Sequence, residues 1–243
     1  MTRQALMIST LAAALLAAQG VLAADHPGQK FQISPTSLAK PYATPGVANE
    51  SSTIPRPATA MPEVPKGFAV STFADNLSAA RWMALAPNGD VFLAEPPGDY
   101  KARSGGKITV LRDTNNDGKA DQRFTFLPAS AGFVYPHGLA FQGGYLYVGD
   151  VRGIWRFAYK DGQTAAGKPE KVTSKVADLA PKNGHVTRNI AFGPDGGLYL
   201  ALGSKDNISD FKPGAQVFKI NPDGGMSEFA SGFRNPVGIA FAP

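Results

Sequence analysis

Ile190-Ala191-Phe192-Gly193-Pro194-Asp195-Gly196-Gly197-Leu198-Tyr199-Leu200 decides the fold of this chain. Two short apolar runs flank a Pro-Asp-Gly-Gly turn, in which glycine takes the positive φ that a tight β-hairpin demands. The pattern recurs in Trp82-Met83-Ala84-Leu85-Ala86-Pro87-Asn88-Gly89, in Gly138-Leu139-Ala140-Phe141-Gln142-Gly143-Gly144 and in Gly238-Ile239-Ala240-Phe241-Ala242-Pro243. Ala84, Leu139, Ile190 and Ile239 lie 55, 51 and 49 residues apart. Repeats of about 40–50 residues made of short strands mark propeller blades. The chain is therefore expected to be an all-β protein, a β-propeller.

Each complete repeat holds material for four strands. In the third these are residues 190–192, 198–202, 216–220 and 227–229, with Pro222-Asp223-Gly224 as a second turn. The first repeat continues through residues 91–94, 108–111 and 122–127, the second through 145–148, 154–159 and 171–173. Residues 68–73 are expected to form the outer strand that closes the last blade of a full ring. Three repeats and the start of a fourth make about three and a half blades, so the ring is expected to need blades beyond Pro243.

Residues 1–23 have the character of a secretory signal, with Arg3 in the positive region, a largely apolar run from Ala5 to Ala18, and Val21-Leu22-Ala23 for cleavage. A periplasmic or secreted protein is expected. The apolar run is short for a membrane span, and no later segment approaches the ~20 apolar residues needed. Cysteine is absent, which excludes disulfides, cysteine zinc sites and covalent haem attachment. The net charge of +5 is spread along the chain without a Lys/Arg run, which argues against a nucleic-acid partner and suits a small anionic ligand. Residues 24–65, rich in proline, are expected to be an extended arm, and residues 66–243 the incomplete propeller.

In a propeller the residues just before each innermost strand gather round one mouth of the central channel. Here they are Arg81, His137, His185 with Arg188 and Asn189, and Arg234 with Asn235. Histidine is the natural acid or base near neutral pH. The plainer reading of the arginines and asparagines is that they cap strands and tie loops.

Residues 65–243 resemble the soluble pyrroloquinoline-quinone (PQQ) dependent sugar dehydrogenases, most closely the L-sorbosone dehydrogenase-like branch. The resemblance rests on Pro65-Lys66-Gly67-Phe68, on Arg81-Trp82-Met83-Ala84-Leu85-Ala86-Pro87-Asn88-Gly89-Asp90-Val91, on Gly184-His185-Val186-Thr187-Arg188-Asn189, and on Phe229-Ala230-Ser231-Gly232-Phe233-Arg234-Asn235-Pro236-Val237-Gly238. It implies a six-bladed propeller that oxidises an aldose or aldehyde sugar, such as L-sorbosone, by hydride transfer to PQQ. It implies His185 as general base and Arg234 and Asn235 as cofactor contacts. Position alone adds Arg188 and Asn189 beside the cofactor, and Arg81 and His137 at the mouth. The family's further cationic contacts, and the carbonyls that hold Ca2+ against the quinone, are expected beyond position 243, which leaves the site here incomplete. A periplasmic cytochrome or quinone is the implied electron acceptor. A non-catalytic exported binding propeller and a metal-dependent propeller lactonase are the alternatives, the latter disfavoured by the few carboxylates before the inner strands.

A second metal signal is Asp113-Thr114-Asn115-Asn116-Asp117-Gly118-Lys119-Ala120-Asp121. Asp113, Asn115, Asp117 and Asp121 stand at positions 1, 3, 5 and 9 of a calcium loop, with glycine at 6. Phe124 occupies position 12, where the bidentate glutamate belongs. A plain Asn/Asp-Gly turn between two strands is the favoured alternative to a structural Ca2+.

Overall fold

The computed structural model describes residues 28–40, 43, 52, 54–57, 59–99, 105–179, 184–207 and 212–242. The chain divides into two units, Met1–Val47 and Ala48–Pro243. In the first, Pro35–Ser37 forms a single 3-10 turn whose cap, Ser34, accepts the Thr36 N–H at 3.3 Å. The expected signal at residues 1–23 lies outside the described residues.

The second unit is a β-propeller segment of three four-stranded blades. The first blade comprises β1 (Trp82–Leu85), β2 (Val91–Glu95), β3 (Lys107–Arg112) and β4 (Gln122–Leu127). The second comprises β5 (Gly138–Gln142), β6 (Tyr145–Asp150), β7 (Gly153–Ala158) and β8 (Glu170–Lys171). The third comprises β9 (Arg188–Phe192), β10 (Leu198–Leu202), β11 (Gln216–Ile220) and β12 (Met226–Ala230). Every neighbouring pair is antiparallel and sequential. The turns form because Gly89, Gly196 and Gly224 sit at φ of 88°, 72° and 84°, where a Cβ would be strained. The first strands pack on one another, β1 on β5 and β5 on β9, and so lie innermost.

Apolar residues alternate to fill the space between blades. Phe92, Ile108, Val110 and Phe126 of the first blade meet Leu139, Leu146, Val148 and Phe157 of the second. The Phe92 ring takes edge contacts from Phe126, Phe141 and Tyr159 at 5.0, 5.1 and 5.4 Å. Each such buried ring contributes about 1.5–3 kcal/mol. Ile154 and Leu179 pack likewise on Ile190, Leu200, Leu202 and Phe218 of the third blade.

The second and third blades approach so closely that glycine is required. A Cβ on Gly138 would sit 2.7 Å from Ile190 N, and one on the paired Gly149 2.5 Å from Arg188 O. Backbone offers no relief by rotation. Gly138→Ala and Gly149→Ala are each expected to cost about 1–3 kcal/mol by forcing the blades apart, and chemical denaturation of the two variants measures it.

Three expected strands differ. Residues 68–73 carry no ladder: Phe73 O accepts the Ala120 N–H at 2.8 Å and Phe68 is exposed. A strand needs a neighbour for its alternate N–H and C=O groups, and a single loop bond supplies none. The outer strand of the second blade stops at Lys171 because the buried Thr173 turns inward, its Oγ1 accepting the Ile154 N–H at 3.1 Å. Residues 238–241 also carry no ladder, and the Phe241 ring lies 5.1 Å from that of Tyr199.

Candidate active site

The third blade builds the site from backbone register. Arg188 pairs with Leu202 and Asn189 with Ala201, so Gly203 and Ser204, which follow β10, run beside residues 185–187. The His185 N–H donates to Ser204 O at 3.2 Å. The imidazole Nδ1 lies 3.0 Å from the same carbonyl oxygen and 3.2 Å from Ser204 Oγ. Ser204 Oγ donates in turn to Asp206 O at 2.5 Å. Gly184, at φ 76°, makes the approach possible, because a Cβ there would run into Lys205 O.

Arg234 and Asn235 join from the far side of β10. Ser204 N–H donates to Arg234 O at 3.1 Å, and the Arg234 guanidinium donates to Asn207 Oδ1 at 2.6 Å. Asn235 and His185 meet across Gly203: a Cβ there would be 2.6 Å from His185 Cβ and would overlap Asn235 Oδ1. His185, Arg234 and Asn235 are thus brought together.

Thr187, Asn189, Ala201 and Gly203 share one face of the blade by strand alternation and register. Thr187 Oγ1, Asn189 Nδ2 and Asn235 Oδ1 are buried and have no hydrogen-bond partner among the described residues. A buried polar atom left so costs about 1–3 kcal/mol. Three of them beside His185 mark a place that takes polar ligand atoms or water.

Arg188 is elsewhere. Its side chain, expected beside a cofactor, is fully buried and turned toward Gly149 of the second blade. Nε and Nη2 donate to Leu179 O at 3.2 and 2.7 Å, and Nη1 donates to His185 O and Thr187 O at 2.9 Å each. Burial pushes this guanidinium down to about 9, opposed by the charge of the buried Asp150. The residue shares strand parity with the core residue Ile190, and that is why it enters the interior.

His137, at the start of β5, is 4% exposed and lies against Trp82, with ring centroids 5.9 Å apart. Burial lowers it to about 4, and the positive charges of Arg81 and Arg188 add to the effect. Arg81, His137 and Arg188 therefore come close at the heads of the three inner strands, and only Arg81 among them is exposed. The unfolded chain binds a proton at this histidine near pH 6.5, whereas the folded chain resists one until about pH 4. Stability is then full above about pH 6.5 and falls as the pH drops through that window, by about 2 kcal/mol between pH 7.5 and 5. Urea titrations at the two pH values test this, and His137→Gln is expected to remove that part of the slope.

The acidic loop between β3 and β4 spends its oxygens on itself. Asp113 accepts the Asp117 and Gly118 N–H groups at 3.2 and 2.8 Å, Asn115 Oδ1 accepts Asp117 N–H at 3.1 Å, and Asp117 accepts Lys119 N–H at 2.9 Å. Asp121 accepts Thr114 N–H at 2.9 Å. Among the described residues no three His, Asp or Glu side chains gather to hold a metal ion. No helix among them is long and apolar enough to cross a membrane.

Gly203 and Ser204 are site residues that motif reading passed over. Their signal was the antiparallel register, which places the end of β10 beside the start of β9. Asp150, buried at the end of β6, was passed over too; it accepts the Val134 and Arg152 N–H groups and Trp155 Nε1–H at 3.0, 2.9 and 2.9 Å.

The fold is similar to that of the PQQ domain of pyranose dehydrogenase from Coprinopsis cinerea, solved in its holo form, at 20% identity and a TM-score of 0.59 over 73% of this chain and 44% of that one. It is also similar to a putative oxidoreductase (glucose dehydrogenase) from Thermus thermophilus, at 21% identity and a TM-score of 0.52 over 73% of this chain and 59% of that one. The chain thus spans less than two thirds of either. No curated protein matches it in sequence. The profile of DUF7133, a domain of unknown function, matches residues 55–242, and the chain belongs to that family.

Proposed function

We propose that this propeller takes part in PQQ-dependent oxidation of an aldose or aldehyde sugar, of which L-sorbosone is one candidate. The observation that carries the reading is the meeting of His185 and Asn235 at Gly203, with the Arg234 carbonyl on the adjoining Ser204 N–H and with buried amide atoms of Asn189 and Asn235 that have no partner among the described residues.

These residues fit such a group. PQQ is a planar polycarboxylate with quinone carbonyls, which calls for a guanidinium and amide donors. Arg234 offers a charged planar fork and Asn189 a buried amide donor, Nδ2, that has no partner among the described residues, while the buried Asn235 Oδ1 is an acceptor open to a ligand N–H or hydroxyl. When bound, PQQ supplies the hydride acceptor. His185 takes the proton from the sugar hydroxyl on the carbon that is oxidised, and a neutral imidazole does this at neutral pH. Arg234 and the two asparagines bind and orient. Arg188, expected beside the cofactor, is given no role in this reading, since its side chain is fully buried and its nitrogens donate to backbone carbonyls. Among the described residues no three carboxylates or histidines converge, and the carbonyl oxygens that the resemblance implies for Ca2+ are expected beyond position 243. A periplasmic electron acceptor and the exported location belong to the same proposal.

Titration of the chain with PQQ, followed by intrinsic tryptophan quenching, tests the reading, together with dye-linked oxidation of an aldose panel that includes L-sorbosone. Saturable binding that Arg234→Ala weakens by about 10-fold or more is expected, as for loss of a charge-assisted bond. Absence of both binding and turnover would reject it.

A further inference from the structure

We infer that Ser204 is the positioning residue of this site: its carbonyl and hydroxyl oxygens hold the imidazole proton of His185 on Nδ1 and leave the Nε2 lone pair as the base. This rests on His185 being the base proposed above. A carbonyl oxygen has lone pairs and no proton, so Nδ1 at 3.0 Å from Ser204 O must be the donor. A neutral imidazole carries one N–H, and placing it on Nδ1 frees Nε2. The hydroxyl acts in the same direction. Its hydrogen goes to Asp206 O at 2.5 Å, so the oxygen presents a lone pair to Nδ1 at 3.2 Å.

Orientation follows from the same atoms. Ser204 O accepts both the main-chain N–H and the ring N–H of His185, which ties the ring to its own backbone. Ser204 is itself buried and clamped, its N–H donating to Arg234 O at 3.1 Å. One residue thereby links the base to the segment that carries Arg234 and Asn235. Its neighbour Gly203 holds the space in which His185 and Asn235 meet. Among the described residues no carboxylate contributes to this hold on Nδ1; a neutral hydroxyl and a carbonyl do.

Long-range proton–nitrogen correlation spectra of the 15N-labelled full chain, recorded near pH 8 without cofactor or substrate, read the tautomer directly. The chain has three histidines, and His185→Gln assigns the relevant pair of signals. The expected result is a protonated Nδ1 and a bare Nε2 at His185. Ser204→Ala is expected to move the tautomer ratio about 2- to 10-fold toward Nε2–H, the range for one lost hydrogen bond, while Ser204→Thr, which keeps the hydroxyl, restores it. A wild-type spectrum dominated by Nε2–H would overturn the carbonyl's role, and an unchanged ratio in Ser204→Ala would overturn the hydroxyl's. Because the spectra need neither PQQ nor sugar, a failure here is distinct from a failure of the oxidation assay.

Discussion

Replacing Arg188 by methionine is expected to lower the unfolding free energy by about 3–5 kcal/mol, the range for breaking a buried charge away from its partners. The guanidinium is fully buried, and its nitrogens donate to three main-chain carbonyls, those of Leu179, His185 and Thr187. Methionine fills much of the volume and makes none of these bonds. The Leu179 carbonyl belongs to a residue with no exposed surface, so water cannot easily take the vacated place. Each acceptor abandoned in that way costs about 1–3 kcal/mol. Asp150, equally buried, loses the positive charge that faces it. Lysine would keep a charge without the planar fork, and Arg188→Lys should fall between the two. Urea denaturation followed by Trp155 fluorescence reports the difference from within the second blade. A loss below about 1 kcal/mol would show that the buried guanidinium is not what ties this loop to the blade.

Arg188 also shows where sequence reading stopped. The hairpins were legible because their chemistry is local: Pro87-Asn88-Gly89, Pro194-Asp195-Gly196 and Pro222-Asp223-Gly224 all close turns with the glycine at positive φ. The blade period followed from the turns, and the strands of the third blade fall within a residue or two of the expected bounds. The direction of a side chain is not local. Arg188 and Asn189 are adjacent in a cationic-looking motif, yet strand alternation sends one into the core beside Gly149 and leaves the other on the face of Gly203. Counting from Ile190 by twos would have put Arg188 inside. Ser204 was invisible for another reason: a serine after an apolar strand has no signature until register brings it to His185. The same holds for His137, expected at the mouth and found buried against Trp82, which lies 55 residues earlier in the chain. Residues 68–73 had the composition of a strand and lacked a neighbour.

Where the proposed PQQ-dependent oxidation holds and the remaining blades complete the site, His185→Gln is expected to reduce turnover by about 10²–10⁴-fold, the usual contribution of a positioned general base, while leaving PQQ affinity within about 3-fold. Glutamine can still donate an amide proton to Ser204 O, so the ring's anchoring contact has a substitute. Its remaining oxygen is far too weak a base to accept a hydroxyl proton. The effect should therefore fall on kcat rather than on cofactor binding, which the proposal assigns to Arg234 and the asparagines. His137 is no substitute for the lost base. It is 4% exposed and held down to about 4 by burial and two arginine charges, so it offers little basicity and little access to a sugar. Steady-state rates and PQQ titrations on the same preparation separate the two quantities. Retained kcat in His185→Gln would move the base to another residue, whereas a collapse of PQQ affinity without change in kcat would make His185 a cofactor contact instead.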